Sequence, residues 1–384
     1  MKYRTLLLSW LKLIVPCVFS CWVVMAIAQV QEVKVGFAAP LTGPQAHYGK
    51  DMQNGIILAF EEINATRPHI GGKEIKLVLL AEDDQGDPRI GTMVAQKLVD
   101  QGIRGMLGHF NSGTSIPASR IYNQAGVPQI AMATAPEYTM QGYKTTFRMM
   151  TSDTQQGSVL GAYVVKKLGY KNIAIVDDRT AYGQGLANEF EKAVRGAGGH
   201  ILRHEFTNDK AVDFRAVLTN LKRLNPEIIF YGGAEMQAAP MVKQMRELGM
   251  KATLVSGEMS KTEQFIKLGG AAAEGAIVSL AGLPLEKMPE GPAYKIKYEK
   301  RFDKAVEVYS PYAYDGAKAL FAAMKKADST DPTKYLNALA AIHMSGITST
   351  QLAYDTHGNL KDGGITIYKV KKGLWSVLES VVGK

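Results

Sequence analysis

Short apolar strands alternate with amphipathic helices along most of this chain, and the alternation occurs in two successive rounds. The first round runs from a strand at 33–37 to one around Phe147, and the second from a strand at 172–176 to one at 277–279. Strands that alternate with helices form parallel sheets, because each helix crosses back over the sheet. We therefore predict an α/β fold with largely parallel sheets.

The length of 384 residues suggests two domains, and a hydrophobic content of 46% is ample for their cores. After the second round, Pro284, Pro289 and Pro292 mark a connection. We predict two helices beyond it, followed by short strands near Leu352 and at 365–370. The residues alone do not assign this tail to either domain.

The first 28 residues differ from the rest of the chain. A basic start, an apolar run at 13–25 and a small-residue site ending at Ala28 predict a secretory signal peptide that is cleaved after Ala28. One alternative is an uncleaved membrane anchor, which Lys12 disfavours because it shortens the apolar run. The other is lipidation at Cys21, whose preceding residues fit such a site poorly. Both cysteines lie in this segment, so the mature chain would contain no disulfide.

Several classes of function find no support in the sequence. The net charge is +9, but even the densest basic run, 295–304, is interspersed with acids, so we expect no nucleic-acid partner. There is no GxGxxG after the first strand and no GxSxG, and residues 43–51 only approximate a phosphate loop. The seven histidines lack metal-ligand spacing, and we expect His109 to pack beside a strand end. We predict a protein that is not an enzyme and needs no cofactor or metal.

Hydroxyl residues follow two neighbouring predicted strands. The strand at 103–108 leads to Ser112 and then to a helix with Pro117 in its first turn, while the strand at 127–132 leads to Thr134. Open α/β sheets bind ligands at the carboxyl ends of their strands, and helix N-termini suit small anions such as carboxylates. The same residues also suit ordinary caps and turns, so both interpretations stay open at this point.

These strand ends resemble those of the Leu/Ile/Val-binding proteins, the periplasmic receptors of branched-chain amino-acid ABC importers. The motifs that carry the resemblance are Tyr48-Gly49, Asp83-Asp84, Gly108-His109, Ser112, Pro117-Ala118-Ser119, Ala133-Thr134-Ala135-Pro136-Glu137, Tyr182-Gly183, Tyr231-Gly232-Gly233 and Ala273-Glu274-Gly275. The resemblance implies the type I periplasmic binding protein fold, with two doubly wound parallel-sheet lobes, three hinge crossovers and a ligand cleft between the lobes.

The resemblance also implies how the chain is divided into lobes and which partners it binds. An N-terminal lobe would comprise residues 29–150 and 281–352, and a C-terminal lobe residues 151–280 and 353–384. The protein would be a periplasmic monomer that closes around its ligand by hinge motion and presents the closed form to a membrane permease.

A set of ligand-binding residues follows from the same resemblance. Ser112, Thr134 and the backbone between them would hold the α-carboxylate of an amino acid, and Glu258 would pair with its ammonium, because a buried ammonium needs a charged partner. Without the resemblance, a carboxylate in a surface loop would be the favoured interpretation of Glu258. Asp153 is either a second ammonium partner or an N-cap. The full predicted set is Tyr48, Ser112, Met132, Ala133, Thr134, Asp153, Tyr182, Ala234 and Glu258.

The ligand's side chain is less well specified. Tyr48 and Tyr182 match aromatic residues that close over the ligand, although tyrosines also fill ordinary interfaces. Several relatives carry tyrosine after the Tyr-Gly-Gly run, where this chain has Ala234 followed by Glu235. We expect a small amino acid, branched-chain or otherwise aliphatic. The alternatives are an aromatic acid or a small amide on the same scaffold, and a periplasmic sensor subunit that feeds no permease.

Overall fold

Two β-sheets organise the chain into two α/β lobes. The computed structural model describes residues 30–361 and 363–382, and the predicted signal peptide lies outside these residues. The strands are β1 Gln31–Ala39, β2 His69–Ile70, β3 Lys73–Asp83, β4 Met106–Gly108, β5 Gln129–Ala131, β6 Thr146–Arg148, β7 Asn172–Asp177, β8 His200–Phe206, β9 Ile228–Gly232, β10 Thr253–Ser256, β11 Ile277–Leu280, β12 His343–Met344, β13 Leu352–Ala353, β14 Gly364–Lys371 and β15 Leu374–Val382. The helices are α1 Ala46–Ala65, α2 Pro88–Asp100, α3 Ser112–Gln124, α4 Glu137–Met140, α5 Asp153–Lys166, α6 Ala181–Gly196, α7 Arg215–Lys222, α8 Glu235–Glu247, α9 Glu263–Gly269, α10 Gly291–Phe302, α11 Ser310–Lys326 and α12 Pro332–Ala340.

Both sheets are mainly parallel and covered by helices. The first has the order β2-β3-β1-β4-β5-β6, with only β2 antiparallel. The second has the order β15-β14-β11-β10-β9-β7-β8, with β14 and β15 antiparallel. Within residues 30–361 and 363–382, no helix combines the length and apolarity needed to cross a membrane.

Helix α1 shows how the sequence pattern becomes packing. Its apolar residues recur at helical spacing, and the face that they form, which includes Met52, Ile56 and Phe60, is buried against the core of the first lobe. Helix α11 packs along α1, so the tail of the chain contributes to the first lobe. The amphipathic helix predicted here from the spacing of apolar residues is confirmed.

Three connections join the lobes, and they lie side by side. The chain leaves the first sheet after β6, returns to the first lobe after β11 and enters the second sheet again before β14. Thr151 Oγ1 donates to the Gly364 carbonyl at 3.0 Å, and Thr366 Oγ1 donates to the Gly282 carbonyl at 2.8 Å. The predicted architecture of two lobes with three crossovers is confirmed, while the residue boundaries assigned to the lobes stay a prediction.

The structure corrects three local predictions. Helix α3 begins at Ser112, so Pro117 lies inside the helix instead of in its first turn. The extended backbone of Asn111 starts the helix there, and Pro117 removes only one hydrogen bond from it. Three helices, not two, follow the second round, because Asp331 caps α12. The terminal strand β15 was not predicted; it turns back on β14 through Lys372, whose φ is +54°.

One buried carboxylate fastens α1 to the start of α11. Asp51 is 2% exposed and accepts hydrogen bonds from the backbone N–H groups of Tyr309 and Ser310, each at 2.8 Å. The Tyr298 hydroxyl donates to the same carboxyl at 2.9 Å. Asp51 therefore fixes the backbone at Tyr309, which lies in the cleft between the lobes.

We predict that Asp51→Ala lowers the free energy of unfolding by about 3 kcal/mol or more. The substitution leaves two buried N–H groups unpaired, and each unpaired group costs about 1–3 kcal/mol. Glu61→Ala on the same helix is the control, since its exposed ion pair with Arg301 contributes less than about 1 kcal/mol. The measurement is urea unfolding, and equal losses for both variants would contradict this account of Asp51.

Candidate functional site

A small cavity lies between the lobes, where loops from the carboxyl ends of both sheets meet. The cavity is narrow, with a space of about 10 Å³ open to the centre of a water molecule. It is lined by Phe110, Asn111, Ser112, Met132, Thr134 and Tyr309 from the first lobe and by Tyr182, Glu258 and Met259 from the second. Because both lobes contribute to the lining, a molecule held here is enclosed only while the lobes are together.

The first-lobe side of the cavity offers hydroxyl and amide groups. Helix α3 begins at Ser112, so the N–H groups of Ser112 and Gly113 have no partner within the helix, whereas those of Thr114 and Ser115 donate to the Asn111 carbonyl. Ser112 Oγ accepts a hydrogen bond from Ala135 N at 3.3 Å, which joins the loop of Ser112 to that of Thr134. Hydroxyls beside a helix N-terminus suit a small anion.

Two carboxyl groups are buried in this region: Glu258 lines the cavity, and Asp153 lies outside the lining, at the start of α5. Burial raises the pKa of both, and the charge of Glu258 raises the pKa of Asp153 further. Glu258 Oε2 accepts hydrogen bonds from the Tyr182 hydroxyl at 3.0 Å and from Gln156 Nε2. Neither carboxyl oxygen of Asp153 has a hydrogen-bond partner within the described residues. A cation held between the two groups would favour the ionised form of both.

The structure excludes the N-cap interpretation of Asp153 and the surface interpretation of Glu258, while the pairing of these acids with an ammonium stays a prediction. Asp153 is not an N-cap: it is the first residue of α5, Ser152 precedes it at the cap position, and the Asp153 N–H donates to the Thr134 carbonyl at 2.8 Å. Glu258 is not a surface residue, because it is 3% exposed. Packing of the first crossover against the loop of Thr134 buries Asp153, which a local pattern does not reveal.

A buried arginine holds the loop that carries Thr134. Arg148 Nη1 donates to the Ala133 carbonyl at 2.7 Å, and Nη2 donates to the Ala135 carbonyl at 2.9 Å. Its Nε donates to Asn359 Oδ1 at 2.8 Å, which connects this loop to the third crossover. Burial lowers the pKa of Arg148 to about 10, so the side chain stays cationic at neutral pH. Both carbonyls next to Thr134 are thereby fixed.

The predicted residues occupy different places around the cavity. Ser112, Met132, Thr134, Tyr182 and Glu258 line it directly. The other four lie outside the lining. The Tyr48 hydroxyl donates a hydrogen bond to the Met259 carbonyl at 2.7 Å, and the Ala133 carbonyl accepts one from Arg148. Asp153 is buried at the start of α5, and Ala234 is the residue before α8. Ala234 and Ala133 are absent from the lining, so neither side chain limits the size of this cavity.

Four lining residues were not predicted: Phe110, Asn111, Met259 and Tyr309. The first two follow the strand end that led to Ser112, so the same argument covers them. Tyr309 precedes α11, and no local pattern connects it with the cleft. His109, expected to pack, is fully buried, with Nδ1 2.6 Å from Asp84 Oδ2. In the part of the chain that the structure describes, no three potential metal ligands cluster.

Known proteins with this architecture identify the family. The profile of the periplasmic binding protein family matches residues 32–373. The chain belongs to the periplasmic binding protein family. It is similar to Leu/Ile/Val-binding protein homolog 1 of Brucella abortus (strain 2308), with 34% identity over 343 residues, 89% of this chain and 91% of the relative.

Solved structures of other binding proteins superimpose closely on this periplasmic binding protein. A leucine-binding protein from Thermotoga maritima has a TM-score of 0.83 at 25% identity, covering 91% of this chain and 98% of that one. A solute-binding protein from R. palustris in complex with benzoate has a TM-score of 0.80 at 20% identity, covering 92% and 97%. The second similarity concerns the fold alone.

We predict that Arg148→Lys loosens the loop of Thr134 in this periplasmic binding protein. A lysine ammonium lacks the forked geometry that reaches both carbonyls, so the loop should open more readily. Amide hydrogen exchange in residues 133–139 should rise about tenfold, which corresponds to about 1.4 kcal/mol. Arg195→Lys, an exposed arginine on α6 paired with Glu191, should leave this exchange unchanged. Equal exchange in both variants would show that Arg148 does not hold the loop.

Proposed function

We propose that this protein is the periplasmic receptor of an ABC importer and binds a small aliphatic L-amino acid in the cavity between its lobes. The observation that carries the proposal is the pair of buried carboxyls, Asp153 and Glu258, beside a set of hydroxyl and amide groups. An α-amino acid carries a cation and an anion on one carbon. In this proposal the carboxyls bind the cation, and the hydroxyl and amide groups bind the anion.

The two ends of the site fix the orientation of the ligand in this proposal. The carboxylate accepts hydrogen bonds from Ser112, Thr134 and the first turn of α3, as a helix N-terminus favours negative charge. The ammonium lies against Glu258, with Asp153 as a second acceptor. A charge that leaves water needs a charged or hydrogen-bonding partner, and each end supplies one.

The remaining lining limits the ligand's side chain. Phe110, Met132, Met259 and Tyr309 present mainly apolar surface to the cavity. Tyr309 also packs edge-on against Phe110, with ring centroids 4.8 Å apart. This apolar lining suits an amino acid with a small aliphatic side chain. The similarity to proteins named for binding leucine, isoleucine and valine supports the same class.

An aromatic acid is the closest rival, because a binding protein of the same fold was solved with benzoate. An aromatic acid or a small amide has no ammonium, so either would leave Asp153 and Glu258 buried without a cation. We therefore prefer the amino acid. Import through a membrane permease is preferred over a sensor role because a solved structure at 25% identity is named as the substrate-binding protein of a branched-chain amino acid transporter.

The decisive variant is Glu258→Gln, which keeps the shape of the side chain and removes its charge. Loss of one partner of a buried charge pair costs about 2–5 kcal/mol, or roughly 30- to several-thousand-fold in affinity. In calorimetric titration, the affinity for L-leucine should fall by that factor in the variant. The affinity for 4-methylpentanoate, the same acid without the amino group, should change little. Small and equal losses for both ligands would contradict the amino-acid proposal and favour a receptor for simple carboxylates.

A further inference from the structure

Two adjacent residues at the start of α1 reach across the cleft to the second lobe. The Tyr48 hydroxyl donates to the Met259 carbonyl at 2.7 Å. His47 Nε2 lies 3.3 Å from Oε1 of Glu235, the first residue of α8. Both contacts join groups from different lobes, so both must break when the lobes separate. The His47–Glu235 contact is the only one of the two in which both groups can titrate near neutral pH.

Glu235 is buried in a setting that disfavours its ionised form. Its side chain is 0% exposed, and neither of its oxygens has a hydrogen bond of good geometry within the described residues. Burial, with a smaller effect from the charge of Glu307, raises the pKa of Glu235 to about 8. Burial also lowers the pKa of His47. With the lobes together, the pair therefore holds a single proton at neutral pH.

In this inference, separation of the lobes would return both groups to water. There a glutamate has a pKa of about 4.3 and a histidine one of about 6.5. Above about pH 6.5 the separated pair thus carries almost no proton, whereas the pair in contact carries one up to the pKa of Glu235. The two arrangements of the lobes bind different numbers of protons in this interval, and any such difference makes their equilibrium depend on pH.

We propose that the His47–Glu235 contact couples closure of the cleft to the uptake of one proton, so that ligand affinity depends on pH. The inference rests on the proposed function, in which the lobes close around an amino acid. It adds a regulation of affinity by pH that the ligand contacts do not supply, because neither His47 nor Glu235 lines the ligand cavity.

The sign of the effect follows from the proton count. Between about pH 6.5 and pH 8, closure takes up a proton, so affinity falls as pH rises, by at most about tenfold for each pH unit. Below about pH 6.5, His47 already carries the proton in the open form, and the dependence flattens. Above the closed-state pKa of Glu235, no proton is taken up, and affinity is again constant.

Other titratable groups lie near the pair and must be separated from it. Glu307 faces Glu235, and burial raises the pKa of Glu307 to about 7. The charge of Glu235 also raises the pKa of Tyr309, although burial is the larger cause. The groove beside His47 contains further charged groups. These are Lys50, Asp51, Lys261, Glu263 and Lys304. All of them, with Asp153 and Glu258, persist in a variant of Glu235, so the difference from the wild type keeps only the titration that depends on the charge of Glu235.

The test is calorimetric titration with L-leucine at pH 7.5 in two buffers of different ionisation enthalpy, which counts the protons taken up on binding. The wild type should take up roughly one half to one proton more than Glu235→Gln. Because glutamine mimics the protonated acid, the variant should bind leucine more tightly than the wild type at pH 8.5. Glu247→Gln, an exposed position on α8, should match the wild type in both measurements.

A second variant tests the role assigned to His47. In His47→Gln no histidine can hold the proton in the open form, so proton uptake should continue below pH 6.5 and reach about pH 5. Equal proton uptake by the wild type and Glu235→Gln, with leucine bound by both, would overturn this inference and leave the proposed function intact. Absence of leucine binding by the wild type at every pH would overturn the proposed function and this inference together.

Discussion

Two acidic side chains, Asp153 and Glu258, are buried in one cleft, and neither forms an ion pair with another residue in the described part of the chain. Ionised carboxyls are costly to bury without a cation, and two of them also repel each other. Tyr182 and Gln156 supply neutral donors to Glu258 only. A positive group from outside would therefore stabilise the ionised form of both carboxyls, and the amino-acid proposal depends on such a group.

The fold explains why groups so distant in sequence meet at this point. Parallel strands present their carboxyl ends on one edge, and the two lobes turn these edges towards each other. Buried polar groups then fix the loops: Arg148 holds the backbone around Thr134, and Asp51 holds that at Tyr309. The three crossovers pass side by side, so the proposed hinge motion would leave the shape of each half of the site unchanged.

The sequence predicted the features that depend on local periodicity. The strand–helix alternation, the buried face of α1 and the position of Ser112 beside a strand end follow from spacing alone. Burial across the cleft was not predicted from the sequence. Asp153 was also compatible with an N-cap, and no local pattern placed Tyr309 in the cleft, because both acquire their surroundings from segments far along the chain. The start of α3 was misplaced because Pro117 is tolerated inside the helix.

The most direct test of the central claim is a crystal structure of the protein grown with L-leucine. The account predicts leucine in the interlobe cavity, with its nitrogen within hydrogen-bond distance of the carboxyl oxygens of Glu258 and Asp153 and its carboxylate against Ser112 and Thr134. Leucine in the reverse orientation, or a ligand whose nitrogen does not face these two acids, would contradict the claim that the buried carboxyl pair recognises an ammonium group.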